Sequence, residues 1–369
     1  MALGMDDVRR AADRVARASG LSAHEDRRLI RAAYAGLLGR EPGDDEVAHW
    51  QRQLADGMTW ARFITLMRTA PEFAGGQLKA IAALDGAVEV ALVGGAPVGG
   101  RRVRFRTAAA DTVVLPSLLD NDGWWEHHVT RALMALVRPG DVVVDGGANA
   151  GYMTVMAGAL AGPTGQVVGV EPADEPRAWC QANLELNQMT HGSVLPVGLW
   201  DAPATLQIRV VEGATTAAHL VTDPSLPLAP GEVAVDDIAC TSLDALAAEG
   251  AFDATRLRVV KLVVQGAEPR ALRGMRDIAD TAPPFIICHV NPRCLAALGH
   301  SPTDIADALD DLGYRLTILP KQRQQDWFAH LPMCDDFPEL TLREVTDLPA
   351  AMAAVPTQDD PVELLAIPA

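Results

Sequence analysis

The sequence predicts an α/β domain on a mostly parallel sheet, preceded by a small all-α domain, and three observations carry that expectation. From about residue 123 short apolar runs alternate with helical patterns. Residues 5–80 carry apolar side chains at helical spacing, the mark of helices with one buried face. A glycine-rich turn inside 142–152 follows an apolar run and opens a helix, as the ligand-binding turns of open sheets do.

In the first segment the helical repeats fall in 27–40, 45–57 and 59–73, with breaks at Glu41-Pro42-Gly43 and Asp56-Gly57, residues that punctuate helices. Residues 87–118 change character: VEVALVGG, RRVRFR and TVVLPSLL read as short strands separated by glycine turns. This sets a helical domain over 1–80, a β-rich lead-in over 81–122 and the large domain over 123–369. The glycines of GGAPVGG (94–100) flank a proline between strands, which suits a hairpin turn and not a phosphate cradle.

In the large domain, 123–137 predicts a helix stopped by Arg138-Pro139-Gly140, 141–147 a buried strand, and Tyr152 the start of the next helix. Strands at 166–172 and 193–200 flank a helix over 174–187. A hairpin around 205–211 and a proline-rich loop at 223–231 follow. The runs 256–264 and 283–290 predict a fourth and a fifth strand, with a helix over 268–280 between them. Ser301 predicts an N-cap with Pro302 in the first turn of the next helix, and 313–319 an edge strand. The acids of 307–313 and 357–363 read as a solvated face.

Composition narrows the function. With 369 residues, 49% of them hydrophobic and 21% charged, the chain can bury a sizeable core. No run approaches the roughly 18–20 apolar residues of a membrane span, and the first residues mix acids and arginines without the apolar stretch of a secretory signal. Cysteines 180, 240, 288, 294 and 334 form no C-x-x-C pair, the pattern of reduced thiols in a cytoplasmic protein and not of a disulfide framework or structural zinc. Net charge is −17, yet residues 1–80 carry 12 Lys/Arg against 11 Asp/Glu, so the acidity belongs to the remainder. A body that acidic repels phosphate backbones, which argues against nucleic acid as substrate. Three lysines among 31 basic residues, with many alanines, suggest a bacterial source.

The chemistry concentrates in VVVDGGANAGY (142–152). Asp145, Gly147, Ala148, Asn149 and Gly151 form a turn directly after a strand, where residues without Cβ let backbone approach a ligand. The dinucleotide spacing G-x-G-x-x-G is absent, which disfavours a nicotinamide dehydrogenase. A wider loop opening with an acid suits a ligand with an ammonium and a carboxylate but no phosphate. Glu171 ends the next strand, 26 residues after Asp145, where an acid accepts hydrogen bonds from ribose hydroxyls. The combination points to S-adenosylmethionine.

With these residues in hand, 87–369 resembles the FkbM-type methyltransferases. The matching pieces are WWEHH with Glu126, RPGDVVVDGGANAGY, VVGVEP, LELN, TSLDAL (241–246) and KLVVQGAEPRAL. The resemblance implies a class I, Rossmann-like methyltransferase with a seven-stranded sheet, transferring methyl to a hydroxyl of a sugar, glycan or natural product. It implies that Asp145, Gly147, Asn149, Gly151 and Glu171 hold S-adenosylmethionine, that Gly198, Leu199 and Trp200 flank its adenine, and that Glu126 contacts substrate or cofactor. Trp125 would offer a ring to a sugar. Residues 23–75 resemble a bacterial all-helical module related in pattern to phycobilisome linkers, marked by Tyr34, 37–40, Trp50, the Leu54 to Gly57 turn and Phe73. That implies docking to a protein partner.

The chain departs from its resemblance at three carboxylates. The family's K-x-D-V-E-G-x-E reads KLVVQGAE here, with Val263 and Gln265 in the acid positions, and His289 stands where the fifth strand tends to carry an acid. Without them a metal-assisted mechanism loses its ligands. Methyl transfer then rests on positioning and a base. His289 is the expected base, with Gln265 and Glu268 orienting the acceptor, although a histidine in that place can equally be packed and bonded to backbone. His127 and His128 read as solvated or capping residues. The alternative is a degenerate domain that serves as an interaction or scaffold protein in a glycan or biosynthetic system.

Overall fold

A computed structural model of the chain describes Arg27, Ile30, Arg31, Tyr34, 41–55, Met58, 87–93, 97–108, Asp111, 113–121, 123–211, 214–222, Ser225, Leu228, 232–319, 343–353 and 361–369. The chain divides into two compact units, 1–88 and 89–369. In the first, helix α1 (Asp44–Ala55) begins with three acids, Asp44, Asp45 and Glu46, which suit the positive end of a helix dipole. Trp50 Nε1 donates to the hydroxyl of buried Tyr34 at 2.9 Å. Residues 37–40, Gly57 and Phe73, which mark the resemblance of this segment, lie outside the described residues.

After β1 (Ala87–Ala91), which straddles the division, the second unit has strands β2 (Pro97–Val98), β3 (Arg101–Arg102) and β4 (Arg104–Ala108) and helices α2 (Val114–Asp120) and α3 (His127–Leu136). Helix α2 replaces the strand expected in 112–119, because Asp111 Oδ1 accepts the N–H groups of Val113, Val114 and Leu115 and so starts a helix there. Then come β5 (Val142–Gly146), α4 (Tyr152–Ala161), β6 (Gln166–Val170), α5 (Asp174–Leu186), β7 (Gly192–Leu195) and β8 (Gly198–Leu199). Three strands follow: β9 (Ala204–Val211), β10 (Ala214–Val221) and β11 (Glu232–Thr241). The remainder is α6 (Leu243–Ala248), β12 (Leu257–Leu262), α7 (Glu268–Arg273), α8 (Arg276–Thr281), β13 (Phe285–Val290), α9 (Pro292–Ala297), α10 (Pro302–Asp311), β14 (Tyr314–Ile318), β15 (Arg343–Val345), α11 (Leu348–Ala353) and β16 (Val362–Pro368).

The main sheet runs in the order β7-β6-β5-β12-β13-β16-β14-β15. Strands β7, β6, β5, β12 and β13 pair in parallel, and β16 runs against both β13 and β14. Seven of these strands form the class I, Rossmann-like sheet, and the short β15 adds an eighth. Strand β14 is therefore covered on both sides and is not the edge expected from 313–319. Strand order reverses between β5 and β12, which opens a crevice beyond their carboxyl ends.

Alternation fixes which side chains face which layer. Val142, Val144, Val260, Leu262, Ile286 and Cys288 pack into one core with α6, α7, α8, α10 and α11. Val143, Val259, Ile287 and Leu365 pack into the other, beneath α3 and α4. Asp145, Lys261, His289 and Glu363 occupy the same phase as this second set, so four buried charged or titratable side chains share one face of the sheet.

Glycines 99 and 100, both at positive φ, turn the β2–β3 hairpin as 94–100 predicts. The 205–211 run pairs with β10, but a third strand, β11, and the short β8 extend the hairpin into a separate four-stranded sheet. On α5, Asn183 and Asn187 act as a surrogate strand for β4. Asn183 Oδ1 accepts Arg106 N–H at 2.6 Å and its Nδ2 donates to Arg106 C=O at 2.7 Å. Asn187 does the same for Arg104 at 2.9 and 2.6 Å. The β-rich segment 97–108 is thus bonded into the large unit. Ser301 and Asp304 form a capping box on α10, with Pro302 in its first turn.

Candidate active site

A cleft of about 470 Å³ lies at the carboxyl edge of β5, β6, β12 and β13, within the size range of small-molecule sites. Gly147, Ala148, Asn149, Glu171, Gly198, Leu199, Glu126, Trp125, Gln265 and His289 line it, together with Lys261 and Asn291. The glycine turn is built for this place. Gly147 has φ +73°, and a Cβ there would meet the Val263 carbonyl oxygen at 1.9 Å. Lacking a side chain, it lets the loop after β5 pass beside the loop after β12. Asn149 also takes positive φ, 49°, a conformation its short polar side chain tolerates.

Glu171 closes the turn from the next strand. Its Oε2 accepts Asn149 N–H and its Oε1 accepts Ala173 N–H, each at 2.9 Å. Each oxygen keeps a further lone pair for a ligand hydroxyl. Burial pushes its carboxyl up, while those two backbone N–H groups pull it down.

Four sequence-predicted residues do other work. Asp145, 1% exposed, is bonded beneath the loop: Thr154 Oγ1 donates to its Oδ2 at 2.6 Å and Lys261 Nζ lies 2.9 Å from its Oδ1. It is not among the residues lining the cleft. Gly151, at φ +90°, is needed for packing instead, because a Cβ would meet Cys180 Sγ at 2.7 Å. Trp200 is buried, is not among the residues lining the cleft, and carries the Arg270 guanidinium 5.3 Å above its ring. Glu268 accepts Val264 N–H at 2.9 Å and Gly266 N–H at 2.8 Å, so it shapes the loop that presents Gln265. Gln265 Oε1 in turn accepts from Cys294 Sγ at 3.1 Å.

His289 reaches the cleft with a carboxylate behind it. Strands β13 and β16 place His289 directly opposite Glu363, and His289 Nδ1 lies 3.0 Å from Glu363 Oε1. The other carboxylate oxygen pairs with His128 Nε2. Glu363 is 2% exposed. This corrects two sequence expectations: Glu363, one of the three acids of 357–363, is buried and not part of a solvated face, and His128 is neither solvated nor a cap. Asp359 and Asp360 lie outside the described residues. Burial would raise Glu363, but the hydrogen bonds from His128 and His289 hold its carboxyl well below the usual range. Burial lowers His289, and the Glu363 hydrogen bond and charge outweigh it, so the net shift is upward. Glu126, at φ 41° before α3, is raised by burial and by the Glu363 charge. His127 stacks on Trp124 with centroids 5.3 Å apart, and burial holds it down to about 4.

From sequence, Lys261 reads only as part of the KLVVQGAE match, His128 as solvated or capping and Glu363 as part of a solvated face, while Asn291 goes unnoticed. Lys261 carried a signal, one cation in the apolar run VVKLVV of a chain with three lysines. Its Nζ also donates to the Gly147 carbonyl at 3.0 Å. Among the described residues no three carboxylate, thiol or imidazole groups converge as a metal site requires, and Cys180, Cys240, Cys288 and Cys294 carry free thiols. Among the described residues no helix is long and apolar enough to cross a membrane.

No family model and no curated protein matches the chain. Solved structures similar to it include a SAM-dependent O-methyltransferase from Thermotoga maritima, 13% identical over 66% of this chain and 64% of that one, with TM-score 0.34. Another is the methyltransferase FkbM from Methylobacillus flagellatus KT, 14% identical over 71% and 56%, with TM-score 0.36. A third is a SAM-dependent methyltransferase from Aquifex aeolicus, 13% identical over 56% and 88%, with TM-score 0.33. The chain thus spans less than two thirds of the length of the first two. Likeness at that level says nothing of activity, which rests on the site itself.

Proposed function

We propose that residues 89–369 are a methyltransferase domain that binds S-adenosylmethionine in this cleft and methylates a hydroxyl of a small molecule, a sugar or natural product, without a metal ion. The observation that carries the reading is the pairing of the Gly147–Asn149 turn with Glu171 across the crevice. A turn without phosphate-binding glycine spacing and an acid with lone pairs to spare suit an aminoacyl nucleoside better than a dinucleotide. Gly198 and Leu199 form the adenine side of the cleft. Since Asp145 is held by Lys261 and Thr154, the acid facing the ammonium of the ligand is Glu126, which lines the cleft.

Bound there, S-adenosylmethionine supplies an electrophilic methyl on a sulfonium sulfur. The chain's part is to place an acceptor oxygen in line with that methyl and to take its proton. With the methyl donor bound, His289 Nε2 would accept the proton released from the acceptor hydroxyl as that oxygen bonds the methyl carbon and the electron pair of the broken carbon–sulfur bond goes to the sulfonium sulfur. Gln265 and Asn291, which line the same end, hold the acceptor by hydrogen bonds, and Trp125 covers it. The N-terminal helical unit serves as a docking module for a protein partner, and the protein works in the cytoplasm of a bacterium.

Calorimetry with S-adenosylmethionine and S-adenosylhomocysteine tests the reading, with NADH as control. Binding of the first two but not the third is the expected result. If neither sulfur ligand binds, the domain is a scaffold, and the reading fails.

A further inference from the structure

We infer that Glu363 positions His289 and, by sharing one carboxylate between two imidazoles, makes the proton affinity of His289 depend on His128. The inference rests on His289 being the base proposed above.

The geometry is specific. Glu363 stands on β16 in register with His289 on β13, and His128 reaches down from the first turn of α3. Each carboxylate oxygen serves one ring: Oε1 lies 3.0 Å from His289 Nδ1, and Oε2 pairs with His128 Nε2. With Nδ1–H donated to Oε1, the lone pair of the His289 ring sits on Nε2, and the ring cannot turn without breaking that bond. The His128 side chain is 12% exposed and Glu363 2% exposed, so the two rings meet over a carboxylate that water does not screen.

Charge counting then couples the rings. Glu126 from the start of α3, Glu268 from α7 and Lys261 from β12 also face this cluster. Glu126 and Glu268 are both raised by burial, whereas Glu363 is held ionised by its two histidines. One carboxylate balances one imidazolium. A second imidazolium would have to share that one carboxylate with the first in a buried place, which is costly. The two rings therefore compete for the charge of one carboxylate, which links the proton affinity of His289 to the presence of His128. A Glu363 that merely filled space would give no such linkage.

The test follows the histidine Cε1 resonances of the full-length chain from about pH 4 to 9, with peaks assigned by loss in His289→Gln and His128→Gln. His128→Gln should raise the His289 midpoint by about one unit, because Glu363 then no longer divides its charge between two rings. Glu363→Gln should lower it by about one to two units. An unchanged His289 midpoint in His128→Gln overturns the coupling, and that variant decides the matter alone if Glu363→Gln fails to fold. Calorimetry with S-adenosylhomocysteine on the same samples reads the cofactor site separately. Lost binding there would sink the methyltransferase reading while the titration still answers for Glu363.

Discussion

Lys261 Nζ lies 2.9 Å from Asp145 Oδ1 and 3.0 Å from the carbonyl of Gly147, so one buried cation ties β12 to β5 and to the turn beyond it. The two residues are register partners on adjacent parallel strands. An acid that in sequence reads as a ligand contact is thereby a bracket under the glycine turn.

Lys261→Met should destabilise the domain by about 3–5 kcal/mol, because it strands a buried carboxylate. The double variant Lys261→Met, Asp145→Leu should recover most of that loss, since the stranded charge is gone too. Urea denaturation of the two variants and the parent measures both effects. A double variant no better than the single would mean the pair matters for shape and not for charge.

Gly147→Ala combines strained backbone with a clash on the Val263 carbonyl. The expected cost is more than about 2 kcal/mol of stability, accompanied by loss of S-adenosylhomocysteine binding in calorimetry. Gly250→Ala, at φ +79° with nothing within 4 Å of a new Cβ, separates strain from clash and should cost less.

Glu171→Gln keeps one carbonyl oxygen but turns an amide nitrogen toward an N–H that now has an acceptor. Either Asn149 or Ala173 loses its bond. An unpaired buried N–H costs about 1–3 kcal/mol, and the affinity for S-adenosylhomocysteine should fall at least about tenfold. Binding at parental strength would remove Glu171 from the nucleoside site.

Binding should also release a proton. Burial and Glu363 raise the Glu126 carboxyl in the free protein, and an ammonium beside it favours the ionised form. Affinity for S-adenosylmethionine should therefore rise with pH through the titration of Glu126. Calorimetry in buffers of different ionisation enthalpy counts the proton, and Glu126→Gln should abolish its release. Equal heats in every buffer would place the ammonium elsewhere.

The acid–histidine cluster gives stability a pH signature. Glu363 is depressed on folding, so its contribution is present above the ordinary carboxylate range and is lost as pH falls through its folded value. His289 is raised, so its contribution is present below the ordinary histidine value and is lost as pH rises through its folded value. Together they favour the folded state most in the mildly acidic window between. Unfolding free energies across pH should show that maximum in the parent chain and flatten in Glu363→Gln.

The apolar runs of β5, β6, β12 and β13 and the glycine turn were legible because burial on both faces leaves strands without polar alternation. The site's lower floor was not. Glu363 is 74 residues from His289 and 235 from His128, and an acid after Asp359-Asp360-Pro361 reads as surface when its partners are that remote. Asp145 misled for the same reason: its cation lies across a strand pairing that periodicity does not reveal. Strand β11 went unread because Asp236 and Asp237 interrupt its apolar pattern, and β14 looked like an edge because β15 and β16 follow far along the chain.

The two asparagines of α5 that grip β4 set where the chain can be cut. A version starting at Gly123 would forfeit the backbone of Arg104 and Arg106, leaving the amides of Asn183 and Asn187 without their strand partners and Phe105 missing from the wall of the cleft. Shortened forms that keep residues 87–122 should refold and bind; those that drop them should not.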